Sequence, residues 1–279
     1  MKAMTRHWYR IALARGAGKP SQLVAAAGEH LGHAIAEAER AAAGAWPGAI
    51  EQATGGEIPL GESVGKGQIV QLGEGPELPA FRWPPGVLPS LAAAAQVAGA
   101  GRGFTERAQA NLFVLEAQTE ADQLVDLFLG VIERMPTADN LEVRVLDHFE
   151  DAGRADVWLT SRIDARRILR LLDDHDEELL GNGHLELSVY VRAHRATLRL
   201  TEHKTVVWLA RDRALEADVR RWLRELDVAE VDSLVTVKDA PHFHYRPARS
   251  GDRKRLGERL YRERLRRVDT LRTARAVER

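Results

Sequence analysis

The sequence predicts an α+β protein. It reads as a ferredoxin-like β-α-β-β-α-β antiparallel sheet enlarged by a further β-β-α-β unit, with a helical N-terminal arm and a basic C-terminal helix. Three observations carry this. Alternation with period two is cleanest at 185–191, where Leu185, Leu187, Val189 and Val191 interleave with Glu186, Ser188 and Tyr190. Amphipathic helical stripes separate such strands, as at Leu124, Leu127, Phe128, Val131 and Ile132. Glycine and proline gather in one segment, 44–103, which holds 13 of the 23 glycines and seven of the 11 prolines.

Taken in order, residues 1–43 form the predicted helical arm. Ser21 reads as an N-cap ahead of Leu23, Val24, Ala27, Leu31, Ala34, Ile35 and Ala38 at three- and four-residue spacing, with a short helix around Trp8, Ile11 and Leu13 before it. Residues 44–110 read as a connecting segment with a short strand at 68–72 and an Ala-rich helix near 89–98. Trp46, Phe81 and Trp83 argue that this segment packs on another surface rather than lying in solvent. The α+β domain spans 111–240. It begins with a strand at 111–117 and a helix at 119–135, then strands at 141–149 and 155–160 around a turn at 151–153. Ser161 and Asp164 open a second helix that buries Ile168, Leu169, Leu171 and Leu172. After the Gly181-Asn182-Gly183 turn come strands at 185–191, 197–200 and 205–210. A helix carrying Leu215, Val219, Trp222, Leu223 and Leu226 follows, and a strand at 231–237 closes the domain. Residues 241–279 form a His/aromatic strand and a basic amphipathic helix at 251–276 with Leu256, Leu260, Leu265, Val268 and Leu271.

Composition sets limits on function. A chain of 279 residues with 44% hydrophobic content and no cysteine can bury a core but has neither disulfides nor thiolate metal sites. The uncharged run at 86–101 is too short to span a bilayer, and Arg6, Arg10 and Arg15 interrupt any signal-peptide core. A soluble cytoplasmic protein is expected. Charge is uneven: residues 246–279 hold 13 basic and 5 acidic side chains, leaving 27 basic and 36 acidic in the rest. Arg253, Arg255, Arg259, Arg262, Arg266 and Arg267 are the expected partner-binding groups, with an acidic protein surface as first partner and nucleic acid as second.

Leu112-Phe113-Val114-Leu115 followed by Thr119-Glu120-Ala121-Asp122 resembles the opening of an RNA-recognition motif, over roughly 111–192. The resemblance implies that Phe113 and Trp158 share an open sheet face on which bases could stack. The chain departs from that pattern at 153–160, which lacks the glycine and paired aromatics of the third strand and carries Asp156. Glu142 and Glu186, expected on the same face, would repel phosphates, so base stacking is not the preferred role of the two aromatics. They are expected to pack under the Gly/Pro segment instead.

Three clusters carry candidate chemistry. His30, His33 and Glu37 stand at i, i+3 and i+7 on one helix face, a spacing that can share a metal ion. His242 and His244 fall on one side of an extended segment, where two imidazoles can chelate a metal or place a general base, and Asp147 and His148 are further candidate groups. The acidic run at 173–178 lacks the glycine placement of a calcium loop. The Gly16–Lys19 stretch lacks the first glycine of a P-loop and has Pro20 where the helix would open. No cofactor or bound metal is expected on this reading. The leading function is a non-enzymatic interaction subunit of a cytoplasmic assembly. The alternatives are a metal-dependent hydrolase or nuclease using His242 and His244, and nucleic-acid binding through the C-terminal helix. The enzyme gains if those histidines meet two or more carboxylates in a cleft.

Overall fold

The computed structural model describes residues 7–16, 19–53, 58, 69–109 and 111–271. The N-terminal part is a sheet, not a helical arm. Strands β1 (His7–Ala14), β2 (Gln22–Gly28), β3 (Trp46–Ala53) and β4 (Ile69–Glu74) form an antiparallel sheet in the order β3-β1-β2-β4. Helix α1 is confined to Leu31–Ala41 and lays Leu31, Ala34, Ile35 and Ala38 over Ile11, Leu13, Val24, Ala26 and Ile50. The other face is covered too, because Ala12 and Ala49 meet Ala94 on the 3-10 helix Leu91–Val97. A strand buried on both faces needs no polar alternation. That is why the continuous apolar run at 23–27 reads equally well as a helix face.

Among the described residues, 81–88 of the Gly/Pro segment pack on the N-terminal core and bond to Ala121 and Tyr245. Phe81 and Trp83 are buried edge to face with ring centres 5.0 Å apart, and β5 (Val87–Pro89) lies against the N-terminal core. The larger sheet follows. Its strands are β6 (Gly103–Gln109), β7 (Leu112–Gln118), β8 (Asn140–Val145), β9 (Ala155–Leu159), β10 (Leu185–Val191), β11 (Ala196–Leu200), β12 (Val206–Ala210) and, beyond the separate β13 (His242–His244), β14 (Arg266–Leu271). The order is β14-β9-β8-β10-β11-β12-β7-β6, antiparallel at every step. Helices α2 (Leu124–Arg134), α3 (Ala165–Asp173), α5 (Glu216–Glu225) and α6 (Arg253–Arg262) cover one face, over Leu185, Leu187, Val189 and Val191. The short α4 is Asp176–Leu179. Asp164 caps α3 by accepting from the Arg167 N–H at 2.9 Å, as an N-cap carboxylate should.

The element order β-α-β-β-α-β is present, but the strand order is not that of a split βαβ fold. Tight hairpins carry the meander β10-β11-β12 outward from β8, so β7 pairs with β12 and β6 and never reaches β9. Residues 231–237 are not a strand. The sheet edge they would occupy is taken by β6, and they meet it through the Phe104–Glu230 bridge, a Val231 N–H to Phe104 carbonyl bond, and side-chain bonds from Thr105 to the Asp232 carbonyl and from Gln118 to the Val235 carbonyl rather than through a ladder.

Phe113 and Trp158 lie on the helix-covered face, not on the open one. The Arg213 guanidinium sits 4.7 Å over the Phe113 ring, and Trp158 lies beneath Gly257 of α6, where an added Cβ would approach the ring to 3.3 Å. Neither packs under the Gly/Pro segment. Glu142, Arg144, Glu186 and Tyr190 occupy the opposite face, where the Tyr190 hydroxyl donates to Glu142 at 2.6 Å and Arg144 pairs with both carboxylates.

The basic tail is part of the fold through residue 271, and the last residues of the predicted helix, 272–276, lie outside the described residues. Leu256, Leu260 and Leu265 are buried in the main core, α6 stops at Arg262, and the chain turns through Arg264 (φ 65°) into β14 against β9. Arg253 and Arg267 pair with Asp156, and Arg259 pairs with Glu178. Arg255, Arg262 and Arg266 remain exposed. Among the described residues, no helix is long and apolar enough to cross a membrane.

Candidate metal centre

Three connections meet at one end of the large sheet. The first is β13 (His242–His244), which pairs antiparallel with β5, so that His242 and His244 point to one side of an extended segment. The second is the turn before β10. There the Gly183 N–H donates to the Tyr245 carbonyl, and the Tyr245 N–H donates to Gly86, each at 2.9 Å. A Cβ on Gly183 would stand 1.8 Å from the Gly86 carbonyl oxygen, so only glycine permits this approach. The third is the β11–β12 hairpin, whose tip is Glu202-His203-Lys204. Lys204 adopts φ 63°, and its buried ammonium donates to the Asn182 carbonyl at 2.6 Å, tying the hairpin to the 182–184 turn. The 146–151 loop completes the site. Arg253 holds it by donating to the carbonyls of Leu146 at 2.6 Å and Phe149 at 3.4 Å.

These connections bring five imidazoles together. His242 Nε2 stands 3.1 Å from His244 Nε2 and 3.1 Å from His203 Nε2. The ring of His148 is centred 4.7 Å from His244, and His184 is 5.0 Å from His148. The tautomers follow from the backbone. His242 Nδ1 faces the Ala240 carbonyl at 2.6 Å and His244 Nδ1 faces the Gly183 carbonyl at 2.8 Å. A carbonyl oxygen has no proton to give, so each Nδ1 carries the hydrogen and each neutral ring presents a bare Nε2. Two lone pairs therefore face each other at 3.1 Å. Such an arrangement is repulsive until a cation lies between them. Ligand nitrogens 2.0–2.1 Å from a tetrahedral zinc ion stand roughly 3.3–3.4 Å apart, close to the spacing here.

Burial sets the charge state. It pushes His244 down to about 2, with His148, His242 and His203 adding to the effect, and His203 down to about 4. His184 is pushed to about 3 by burial and by His148 and Lys204. His148 is lowered by burial, against the pull of Asp147. Glu202 is raised to about 7 by burial and Glu186, and Lys204 is lowered to about 7 by burial, against Glu202 and Glu186. Glu202 sits between two imidazoles, with Oε1 3.9 Å from His203 Nε2 and Oε2 3.8 Å from His148 Nε2. Two sets of ligand atoms come within 4.8 Å of one another: His203, His242 and His244, and His148, Glu202 and His244.

A cavity of about 310 Å³ opens beside His244, His148 and His184, and Tyr9, His30 and Arg246 form its other walls. His148 Nε2, His184 Nδ1 and His30 Nδ1 are buried without a hydrogen-bond partner. A larger cleft of about 590 Å³, between α1, α2 and α4, holds no imidazole but His33 and lies away from this chemistry.

Of the residues singled out in the sequence, the structure brings together His242, His244, His148 and Asp147. His30 and His33 stack with ring centres 4.0 Å apart, but Glu37 does not join them in a ligand set. His33 donates from Nε2 to the Ala248 carbonyl at 2.8 Å, Glu37 pairs with Arg40, and His30, the residue before α1, faces the cavity. The sequence reading missed Glu202, His203 and His184. Their one signal is position: Glu-His at the tip of a short hairpin between two predicted strands, and His directly after Gly-Asn-Gly. No family model, curated protein or solved structure matches this chain, so the centre is read from its own geometry.

Proposed function

We propose that this protein is a metal-dependent hydrolase whose divalent transition ion is held by the Nε2 atoms of His203, His242 and His244. The observation that carries this is the convergence of three Nε2 atoms, two of them stripped of hydrogen by backbone carbonyls at Nδ1. Two carboxylates accompany them: Glu202 lies within 3.9 Å of His203, and Asp147 lies within 3.8 Å of His148. When bound, such an ion supplies a Lewis acid and a water acidified toward neutrality. The chain's own part is to hold the imidazoles oriented, and His244, alone of the three, also lines the cavity from which water and substrate would approach. Three protein ligands with an open position are the pattern of catalytic rather than structural zinc. The interaction-subunit reading rests on the absence of concerted catalytic motifs and on oppositely charged amphipathic surfaces; of these, the C-terminal helix buries Leu256 and Leu260 in the core and leaves Arg255 and Arg262 exposed.

The test is direct. Protein stripped with chelator should bind zinc with submicromolar affinity by calorimetry, and His242→Ala should abolish this. The loaded protein should hydrolyse p-nitrophenyl acetate or bis(p-nitrophenyl) phosphate at a rate that tracks metal content. Absence of binding at micromolar free zinc overturns the proposal. Binding without turnover of either ester makes the centre a structural metal site.

A further inference from the structure

We propose that the cavity beside His244 seats an oxyanion of the substrate, a carboxylate or a phosphate, on the guanidinium of Arg246; this rests on the metal-centre reading above, whose substrate class it names. Arg246 is fixed before any ligand arrives. Its backbone lies against the start of α1, where a Cβ on Gly32 would stand 1.9 Å from the Arg246 carbonyl oxygen. Its guanidinium carbon stands 5.5 Å from the Phe149 ring centre, within cation–π range. One nitrogen, Nη1, donates to Glu150 at 2.7 Å and to the Gly251 carbonyl at 3.1 Å. Among the described residues, Nε and Nη2 donate to nothing. That leaves open the guanidinium edge formed by Nε and Nη2, whose two parallel N–H groups match two oxygens of one carboxylate or phosphate.

The charges around the cavity favour an anion. Arg246 is the one arginine or lysine among the described residues that wall it. The two carboxylates there, Glu150 and Asp151, are exposed, and Glu150 Oε1 is already engaged by Arg246 and by the Arg253 N–H. Burial, His33 and Arg246 push His30 down to about 3, and burial, His148, Lys204 and Arg246 do the same to His184. The share owed to Arg246 is a positive potential, and a potential that repels a proton attracts an anion. Both rings wall the cavity, and each keeps an Nδ1 that is buried and bonded to nothing. A neutral ring with its hydrogen on Nδ1 donates to an oxyanion oxygen. The volume, about 310 Å³, is at the small end for a ligand pocket and suits one such group on a short arm. His244 belongs both to the ligand set and to the cavity wall, so an anion anchored on Arg246 keeps the rest of the substrate beside the ion.

Inorganic phosphate and acetate serve as probes, in separate titrations of metal-free full-length protein followed by the NMR signals of the His30 and His184 rings. One or both should bind with millimolar affinity or better and shift those signals, and the arm that binds more tightly tells phosphate from carboxylate. Arg246→Gln should weaken that anion about 10–100-fold, the value of a charge-assisted hydrogen bond. Glu150→Gln removes a competing carboxylate and should tighten it about two- to fivefold, a gain that a merely structural role for Arg246 does not produce. Zinc affinity, measured on the same proteins, should not change in Arg246→Gln. Wild-type protein that binds neither anion overturns the seat while its zinc affinity leaves the metal centre standing, and loss of zinc binding with anion binding intact does the reverse. Anion binding that Arg246→Gln leaves unchanged also overturns the seat. If Arg246→Gln fails to fold, Glu150→Gln decides, and an unchanged affinity there overturns it.

Discussion

Around Asp156 each buried charge has its opposite. Arg253 meets the carboxylate at 2.9 Å and Arg267 meets it at 2.7 Å, while the remaining Arg253 donors close on the carbonyls of Leu146 and Arg154. Glu116, buried in the sheet, is likewise held by Lys238 and Arg107. Around His244, one loop away, the same chain leaves the bare nitrogens of His242 and His244 pointing at one another, with His203 and Glu202 beside them. Low-dielectric surroundings make both kinds of cluster consequential. The first is complete within the chain and holds the fold together. The second is incomplete, and what completes it comes from outside. The two meet at Arg253, which pairs with Asp156 and pins the loop that carries His148.

The largest effect is expected where compensation is complete. Asp156→Ala leaves the Arg253 guanidinium, 11% exposed, without its counter-charge. Breaking a buried pair from one side costs about 3–5 kcal/mol. Urea unfolding should show that loss, along with earlier hydrogen exchange in α6 and β14. A loss below about 1 kcal/mol would mean that Asp156 behaves as a surface pair and does not hold the fold together.

Next in size is Lys204→Met. The methionine fills the buried volume but removes the ammonium's bond to the Asn182 carbonyl, which keeps only the Leu185 N–H at 3.2 Å; a hydrogen bond from a charged donor is worth about 1.5–3 kcal/mol in stability. The tie between the Glu202-His203 hairpin and the turn whose Gly183 carbonyl orients His244 is lost with it. Zinc affinity should fall about 10–100-fold, as when a group supporting a metal ligand is removed. Calorimetry on folded variant protein checks this, and an unchanged affinity would show that the hairpin needs no such tie.

How far the sequence reaches differs between these regions for physical reasons. From 112 to 225 one sheet face is helix-covered and the other polar, so alternation at Leu185–Val191 marks the buried face correctly. In β1 and β2 both faces are buried, the alternation disappears, and a strand cannot be told from a helix. At the C-terminus the helical spacing holds through Leu260, but Arg264 in the left-handed region ends it, and no residue type announces that turn. The centre was half visible. Spacing alone puts His242 and His244 on one side of a strand, whereas His203, Glu202 and His184 sit on turns, where no period exists. Their convergence depends on the β5–β13 pairing and on Lys204, contacts between parts of the chain far apart in sequence.

The smallest expected effect is the sharpest test of the comparison. In metal-free protein His242→Ala removes one hydrogen bond, from Nδ1 to the Ala240 carbonyl, with a net value of about 0.5–1.5 kcal/mol. It also removes a lone pair that faces the equally bare Nε2 of His244 at 3.1 Å, and relief of that repulsion offsets the loss. Stability without metal should therefore change by less than about 1 kcal/mol, far below the Asp156→Ala effect. With zinc present the order of the two proteins separates. The wild type should gain about 2.7 kcal/mol at a hundredfold excess over its dissociation constant, and His242→Ala should gain almost nothing. Paired urea titrations with chelator and with zinc measure both differences. A loss of several kcal/mol without metal would place His242 with Asp156, among the groups that hold the fold.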